Sequence, residues 1–121
     1  MDKVFVYGTL MNGYVNNRCY LAQSECLGKG EITGYGLYAV SSFPGIVPED
    51  GEKVKGEVYS VDQDTLKRVD GLEGEGSLYL RKKVEVRVDS QIVQAWTYIW
   101  NQENSGQRKF EYEAQPWKGR G

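Results

Sequence analysis

Alternation of β-branched and polar residues is the feature that most constrains the fold of this chain. Valines alternate with charged residues within Tyr79–Val88, and a period of two also runs through Val54–Val61. Such a period places apolar side chains on one face of a strand and polar ones on the other. Ile92–Trp100 is a third strand rich in aromatic and β-branched residues, and Val4–Leu10 begins as a short apolar strand. Turn-length links between successive strands favour antiparallel pairing.

Glycines and prolines predict where these strands bend or stop. Four glycines lie among apolar residues within 24–40, a pattern typical of bent or bulged strands. Pro48 is predicted to end a short strand at Ile46–Val47, because proline cannot donate a hydrogen bond to a neighbouring strand. Residues 49–53 are polar and predict a hairpin loop. About six strands with glycine bends favour a small closed or nearly closed barrel.

One amphipathic helix interrupts the strands. Asp62 is a suitable N-cap, and Leu66 and Val69 recur at helical spacing. Gly71 and Gly74 are predicted to close the helix. The sequence therefore predicts a helix between the second and third groups of strands, with its apolar side on the barrel.

The length of 121 residues allows one domain with one core. The predicted fold class is α+β: a mixed, mostly antiparallel small β-barrel with flanking helices, one of them short and near 18–21. Residues 1–100 form the predicted domain. Residues 101–121 are a polar C-terminal tail with three scattered aromatic residues. Two alternatives stay open for this tail: it docks through these aromatics, or it is flexible.

Charge and hydropathy argue against several classes of partner. A net charge of −2 gives no general attraction to nucleic acid, which disfavours an RNA-binding barrel. No apolar run is long enough to span a bilayer, and the first residues do not form a signal peptide. A cytoplasmic location without nucleic-acid or membrane partners is expected; the oligomeric state is left open.

The chain contains two cysteines and no histidine. Cys19 and Cys26 do not form a metal-binding motif, so no metal site is predicted, and both are interpreted as buried free thiols. Without histidine, Ser-His-Asp and Cys-His catalysis are excluded. A carboxylate, tyrosine or lysine must perform any acid–base chemistry.

Two places carry the candidate chemistry. Gly8 ends the first strand, and a bend there can point successive amide N–H groups at an anion; the alternative is an ordinary glycine turn. Glu73 lies at the helix end beside glycines, where partial burial would raise its pKa towards neutrality. The alternative for Glu73 is an ordinary exposed charge, and Glu75, two residues further on, ranks below it.

Four blocks in a specific order resemble the gamma-glutamylcyclotransferase-like family, and in particular its small gamma-glutamylamine cyclotransferase type. They are Tyr7–Leu10, Phe43–Pro48, Gly56–Asp62, and Leu72–Gly74 followed by Tyr79–Arg81. The resemblance covers approximately the first hundred residues and implies a mixed barrel with a cavity. It also implies cyclisation of a small γ-glutamyl amide or amine to 5-oxoproline, with release of the free amine and without a cofactor.

The resemblance assigns expected roles to seven residues. Glu73 would be the general acid and base, and Tyr79 and Arg81 would support the site. The main-chain amides of the turn would hold the substrate's α-carboxylate; this turn comprises Tyr7, Gly8, Thr9 and Leu10. A competing hypothesis is a non-catalytic ligand-binding or protein-interaction domain that retains the barrel and cavity.

Three positions depart from the family pattern. Small members often have a basic residue just after the first motif and a histidine a few residues later, where this chain has Met11 and Asn17. A proline usual after the catalytic glutamate is missing from Gly74–Ser77. These departures leave the identity of the leaving amine open.

Overall fold

The strands form one sheet that closes on itself. The computed structural model describes residues 1–103 and 106–119. The strands are β1 (Asp2–Val6), β2 (Glu25–Ala39), β3 (Pro44–Val61), β4 (Tyr79–Val88), β5 (Gln91–Trp100) and β6 (Arg108–Phe110). The helices are α1 (Val15–Tyr20) and α2 (Gln63–Glu73).

The order of the strands is β3-β1-β5-β4-β2-β6, and an additional pairing of β2 with β3 closes the first five into a barrel. β1 runs parallel to β5, with Val4 opposite Trp96, and the other pairings are antiparallel. β6 pairs with β2 as a sixth strand. The predicted α+β class, a mixed and mostly antiparallel barrel, is confirmed.

The apolar faces of the strands form the barrel core. Phe5, Ile32, Val58 and Val86 come from four different strands, and each is at most 1% exposed. Alternation along each strand places these residues inside and charged residues outside. The buried hydroxyl of Thr97 donates a 3.0 Å hydrogen bond to the carbonyl of Phe5, so that this polar group is satisfied within the core.

β2 and β3 are long, paired strands with irregular register. Shifts occur between Cys26 and Gly28 and between Thr33 and Tyr35, which confirms the predicted bulges. The prediction that Pro48 ends a strand is wrong: β3 continues through Pro48, which lies opposite Tyr35 beside the second shift. Proline is accommodated at such irregular positions, where the regular ladder of N–H donors is interrupted.

α2 confirms the predicted helix, its N-cap Asp62 and its C-terminal Gly74, but not the predicted end at Gly71. The Asp62 carboxylate accepts a 2.8 Å hydrogen bond from the main-chain N–H of Thr65. Gly74 is the C-cap in the left-handed region, with φ of 63°. Gly71 lies inside the helix instead of ending it, and the last helical residue is Glu73.

Within 1–103 and 106–119, no helix is long and apolar enough to cross a lipid bilayer.

The interpretation of Cys19 and Cys26 as buried thiols is wrong, since both are exposed. Cys19 lies on α1, a short helix that buries none of its residues. Cys26 lies near the start of β2, immediately before a register shift. A single cysteine in a polar segment gives no pattern from which its face could be predicted.

The described part of the C-terminal tail is docked on the barrel. Buried Gln115 accepts a 2.8 Å hydrogen bond from the N–H of Lys55 and donates one of 3.1 Å to the carbonyl of Lys53. Trp117 is 6% exposed and packs on Tyr14 at 5.4 Å between ring centroids. Together with β6, these contacts join 106–119 to the sheet; the remaining tail positions, 104, 105, 120 and 121, lie outside the described residues.

Candidate active site

A cavity of about 220 Å³ lies between the end of β1, the start of β3, the end of α2, the start of β4 and the end of β5. It brings together six of the seven predicted site residues: Tyr7, Gly8, Thr9, Leu10, Glu73 and Tyr79. The seventh, Arg81, does not line it. The turn after β1 and the carboxyl group at the end of α2, 63 residues apart in sequence, therefore face the same space.

The turn after β1 presents unpaired main-chain donors. It is closed by a 3.0 Å hydrogen bond from the N–H of Met11 to the carbonyl of Gly8. Pro44 packs so closely that a Cβ at Gly8 would lie 2.9 Å from its Cγ, which explains the glycine. Within the described residues, the N–H groups of Gly8, Thr9 and Leu10 have no hydrogen-bond acceptor. Successive free amides of this kind suit an anionic group.

Two asparagines of α1 hold this turn in place, and one of them, Asn16, also lines the cavity. Asn16 donates a 2.9 Å hydrogen bond to the Thr9 hydroxyl, and Asn17 donates one of 2.8 Å to the carbonyl of Leu10. Asn17 also donates to the Tyr59 hydroxyl, which in turn donates to Glu57 at 2.9 Å. Asn16 was not predicted as a site residue, because an Asn-rich stretch is equally typical of any loop.

Glu73 is the titratable group of the cavity whose pKa is moved towards neutrality. Burial disfavours its charged form and raises the pKa from 4.5 to about 7. Among residues 1–103 and 106–119, no donor forms a hydrogen bond with this carboxyl group. It is therefore free to exchange a proton with a ligand near neutral pH.

Two tyrosine hydroxyls fix the walls of the cavity. Tyr7 donates a 2.6 Å hydrogen bond to the carbonyl of Tyr98, and Tyr79 donates one of 2.7 Å to the carbonyl of Pro44. Burial, and then the nearby charge of Glu73, raises the pKa of Tyr79 well above its ordinary value. Burial likewise raises the pKa of Tyr7. Both hydroxyls consequently stay protonated and position the main chain.

Arg81 reaches the cavity only through other residues. Its guanidinium forms a 2.9 Å ion pair with Asp70, whose other oxygen accepts a 2.6 Å hydrogen bond from the hydroxyl of Tyr98, a cavity residue. The guanidinium also lies 4.5 Å from the centre of the Trp96 ring. Asp70 and Tyr98 were not predicted from the sequence, because they are brought together by contacts between α2, β4 and β5 that no local pattern encodes.

Within the described residues, no group of three or more cysteine, aspartate or glutamate side chains is arranged to hold a metal ion. The acid–base capacity of the cavity comes from Glu73, and its anion-binding capacity comes from the main chain of the turn. The molecule is therefore a small closed barrel whose cavity holds a carboxyl group of near-neutral pKa beside free main-chain amides. Proteins of this class are suited to proton transfer on a small anionic ligand.

Comparisons with known proteins assign the chain to a family. Residues 4–119 match the family model described as gamma-glutamyl cyclotransferase, AIG2-like, and the chain belongs to this family. This confirms the family predicted from the four motifs. At the level of the family it also confirms the prediction of an enzyme of gamma-glutamylcyclotransferase type.

Relatives match most of the chain. A protein of Methanocaldococcus jannaschii described as a candidate gamma-glutamylcyclotransferase is 44% identical over 105 residues, covering 83% of this chain and 85% of its own. The gamma-L-glutamyl-butirosin B gamma-glutamyl cyclotransferase of Niallia circulans is 34% identical and covers 91% and 74%, respectively. The crystal structure of an AIG2-like protein from Mus musculus superposes with a TM-score of 0.82 at 27% identity, covering 92% and 86%.

Proposed function

We propose that this protein cyclises a small γ-glutamyl amide or amine conjugate to 5-oxoproline and releases the free amine, with Glu73 as general acid and base. One observation carries the proposal: the carboxyl group of Glu73 and the unpaired amides of the turn after β1 border one cavity. Membership of the gamma-glutamyl cyclotransferase family supports it.

Binding would use the two charged groups on the α-carbon of the substrate. The free N–H groups of Gly8, Thr9 and Leu10 would hold the α-carboxylate, since successive amides stabilise an anion without a fixed positive charge. With the carboxylate held there, the α-ammonium would face Glu73 across the cavity.

The reaction takes two protons from the α-ammonium. Ionised Glu73 accepts the first, and the free amine attacks the γ-carbonyl carbon of the same molecule. A C–N bond forms and closes a five-membered ring, giving a tetrahedral intermediate. The bond to the leaving nitrogen breaks as Glu73 returns the first proton to that nitrogen; Glu73 then takes the second proton from the ring nitrogen and passes it to the departing amine. The products are 5-oxoproline and an ammonium ion, and Glu73 is ionised again.

The walls would contribute by orienting the substrate. Tyr7 and Tyr79 use their hydroxyls to hold the main chain, while Leu72 and Phe43 supply apolar contact. A cavity that keeps the substrate folded can lower the barrier by up to about 7–11 kcal/mol in favourable intramolecular cases. Arg81 would support this arrangement indirectly, by holding Asp70 against the Tyr98 hydroxyl.

The test is formation of 5-oxoproline from γ-glutamyl compounds by the intact protein. The panel contains a γ-glutamyl dipeptide, a γ-glutamyl conjugate of the lysine side chain and a γ-glutamyl aminoglycoside. We expect turnover of at least one compound and a loss of about 100-fold or more in kcat for Glu73→Gln, since the amide can neither accept nor return the proton.

Glu75→Gln is the matched control, because Glu75 is exposed and lies two residues from Glu73. Its activity is expected to equal that of the wild type. Undiminished release of 5-oxoproline by a folded Glu73→Gln variant would remove Glu73 from the mechanism. Binding of γ-glutamyl compounds without turnover of any of them would favour a non-catalytic ligand-binding domain.

A further inference from the structure

We propose that a second groove, lined on one side by the C-terminal segment, binds the leaving amine and selects amines that carry an anionic group. The proposal rests on the proposed function, and the two cations that carry it, Arg108 and Lys118, lie outside the four family motifs. The groove has a volume of about 580 Å³ and shares Thr9 and Phe43 with the cavity of Glu73. The two spaces therefore adjoin at these residues, and in this proposal a substrate whose γ-glutamyl group fills the cavity places its leaving amine in the groove, which we call the leaving-group groove.

The wall of the leaving-group groove is firmly held. β6 pairs with β2, so that Arg108 lies opposite Ala39 and Phe110 lies opposite Leu37. At the far end, the main-chain N–H of Gly119 donates a 3.1 Å hydrogen bond to the Tyr14 hydroxyl. Gly119 also lies so close to Trp117 that a Cβ there would overlap the indole ring. The groove is therefore a preformed surface, as small-molecule sites usually are.

The charge of the leaving-group groove is positive. Arg108 and Lys118 line it, and none of its lining residues in the described part of the chain is acidic. Within 1–103 and 106–119, neither cation forms an ion pair. The adjacent Lys109 differs, because it lies 2.9 Å from Glu49 and 3.1 Å from Glu52. Two cations that have no carboxylate partner in the described part of the chain favour an anion and repel a cationic amine.

Aromatic residues supply the apolar part of the same groove. Phe43, Phe110 and Trp117 line it, and the Arg108 guanidinium lies 4.9 Å from the centre of the Phe110 ring. This cation–π contact holds the guanidinium beside the ring, where its N–H donors can bind a carboxylate. The ligand that fits is an amine with an anionic group and an apolar or aromatic body.

The test compares two substrates that differ in one charge. γ-Glutamyl-phenylalanine has a leaving amine with a carboxylate, whereas γ-glutamyl-phenethylamine lacks it. We expect the wild type to prefer the first by about tenfold in kcat/KM, the size of effect typical of a hydrogen bond to a charged group. Arg108→Gln and Lys118→Gln should reduce the preference, and their double variant should abolish it while turnover of γ-glutamyl-phenethylamine is retained.

Two controls separate charge from structure. Arg108→Lys retains the cation and should keep most of the preference. Lys67→Gln removes an exposed cation on α2, away from the groove, and should retain the full preference for γ-glutamyl-phenylalanine.

A reversed charge extends the test. Arg108→Glu should reverse the preference, so that a γ-glutamyl diamine becomes the better substrate.

The outcomes distinguish this proposal from the proposed function. Equal kcat/KM for the two substrates, or a preference that survives in the folded double variant, would overturn the groove assignment and leave the cyclisation intact. Preference of the wild type for a cationic leaving amine would also overturn it. Absence of 5-oxoproline from every substrate would instead refute the proposed function on which the groove assignment rests.

Discussion

Glu73 is the residue on which the proposed chemistry depends. It is the last residue of α2, and its carboxyl group faces the cavity. Its pKa of about 7 means that the acid and the base form of this carboxyl group are both populated near neutral pH. Histidine usually supplies such a pKa, and this chain has none. Burial of one glutamate provides the same capacity without a second charged group.

The pH dependence of turnover tests this assignment. Because Glu73 must be ionised to accept the first proton, kcat/KM should rise with pH and reach half of its plateau at about pH 7. Below that midpoint the rate should fall about tenfold per pH unit, as the ionised fraction does. Initial rates of 5-oxoproline release between pH 5 and 8.5 measure the profile. A midpoint near the ordinary glutamate value of 4.5 would contradict a desolvated base.

Residue-level prediction from sequence succeeded where one position combined several constraints. Gly8 and Glu73 could be selected because the chain lacks histidine and because glycines neighbour the candidate groups. The structure brings both into one cavity, while their catalytic and binding roles stay predictions. Asp70 and Tyr98 could not be found in this way, since a helix aspartate and a strand tyrosine are ordinary until the fold makes them hydrogen-bond partners.

At the scale of elements, α2 positions Glu73, and the residue at which α2 ends determines where the carboxyl group of Glu73 lies. Gly71 and Gly74 both follow from the sequence as candidate helix ends, but only Gly74 has a positive φ. A Cβ at Gly71 would have no neighbour within 4 Å, whereas one at Gly74 would lie 3.3 Å from the Cβ of Leu78. The two glycines should therefore respond to alanine in opposite ways.

We predict that Gly71→Ala raises the free energy of unfolding by about 0.5–1 kcal/mol, because alanine costs less conformational entropy inside a helix. Gly74→Ala should lower it by about 1 kcal/mol, because alanine disfavours the left-handed C-cap. Urea unfolding of the two variants and the wild type measures both changes. The same sign for both variants would show that the helix does not end at Gly74.

Sequence patterns predicted the elements whose signals lie within one segment of the chain. They failed where the structure of a segment depends on the strand that pairs with it. The caps of α2 and the alternation within β4 are local, and both are confirmed. Pro48 was wrongly given as a strand end, because its effect depends on which residue of β2 lies opposite it. The leaving-group groove depends on β6, a three-residue strand whose sequence has no distinguishing pattern.

At the scale of the whole molecule, the C-terminal segment completes the barrel surface. β6 extends the sheet beyond β2, and Trp117 packs on Tyr14 beside α1, the helix that holds the turn after β1. The family match, which extends to residue 119, agrees with a structural role for this segment. Docking of Trp117 should therefore contribute to global stability as well as to the wall of the leaving-group groove.

Trp117→Ala tests this contribution. Removing an indole that is 6% exposed should lower the free energy of unfolding by about 3 kcal/mol, through lost burial and the cavity left behind. Tyr112→Ala is the matched control in the same segment: Tyr112 is 38% exposed, and its loss should cost less than about 1 kcal/mol. Urea unfolding followed by circular dichroism measures both. Equal, small losses of unfolding free energy would mean that β6 and Gln115 hold the segment without the indole. A large loss in Trp117→Ala alone would show that packing of the indole on Tyr14 attaches the C-terminal segment beside the candidate active site.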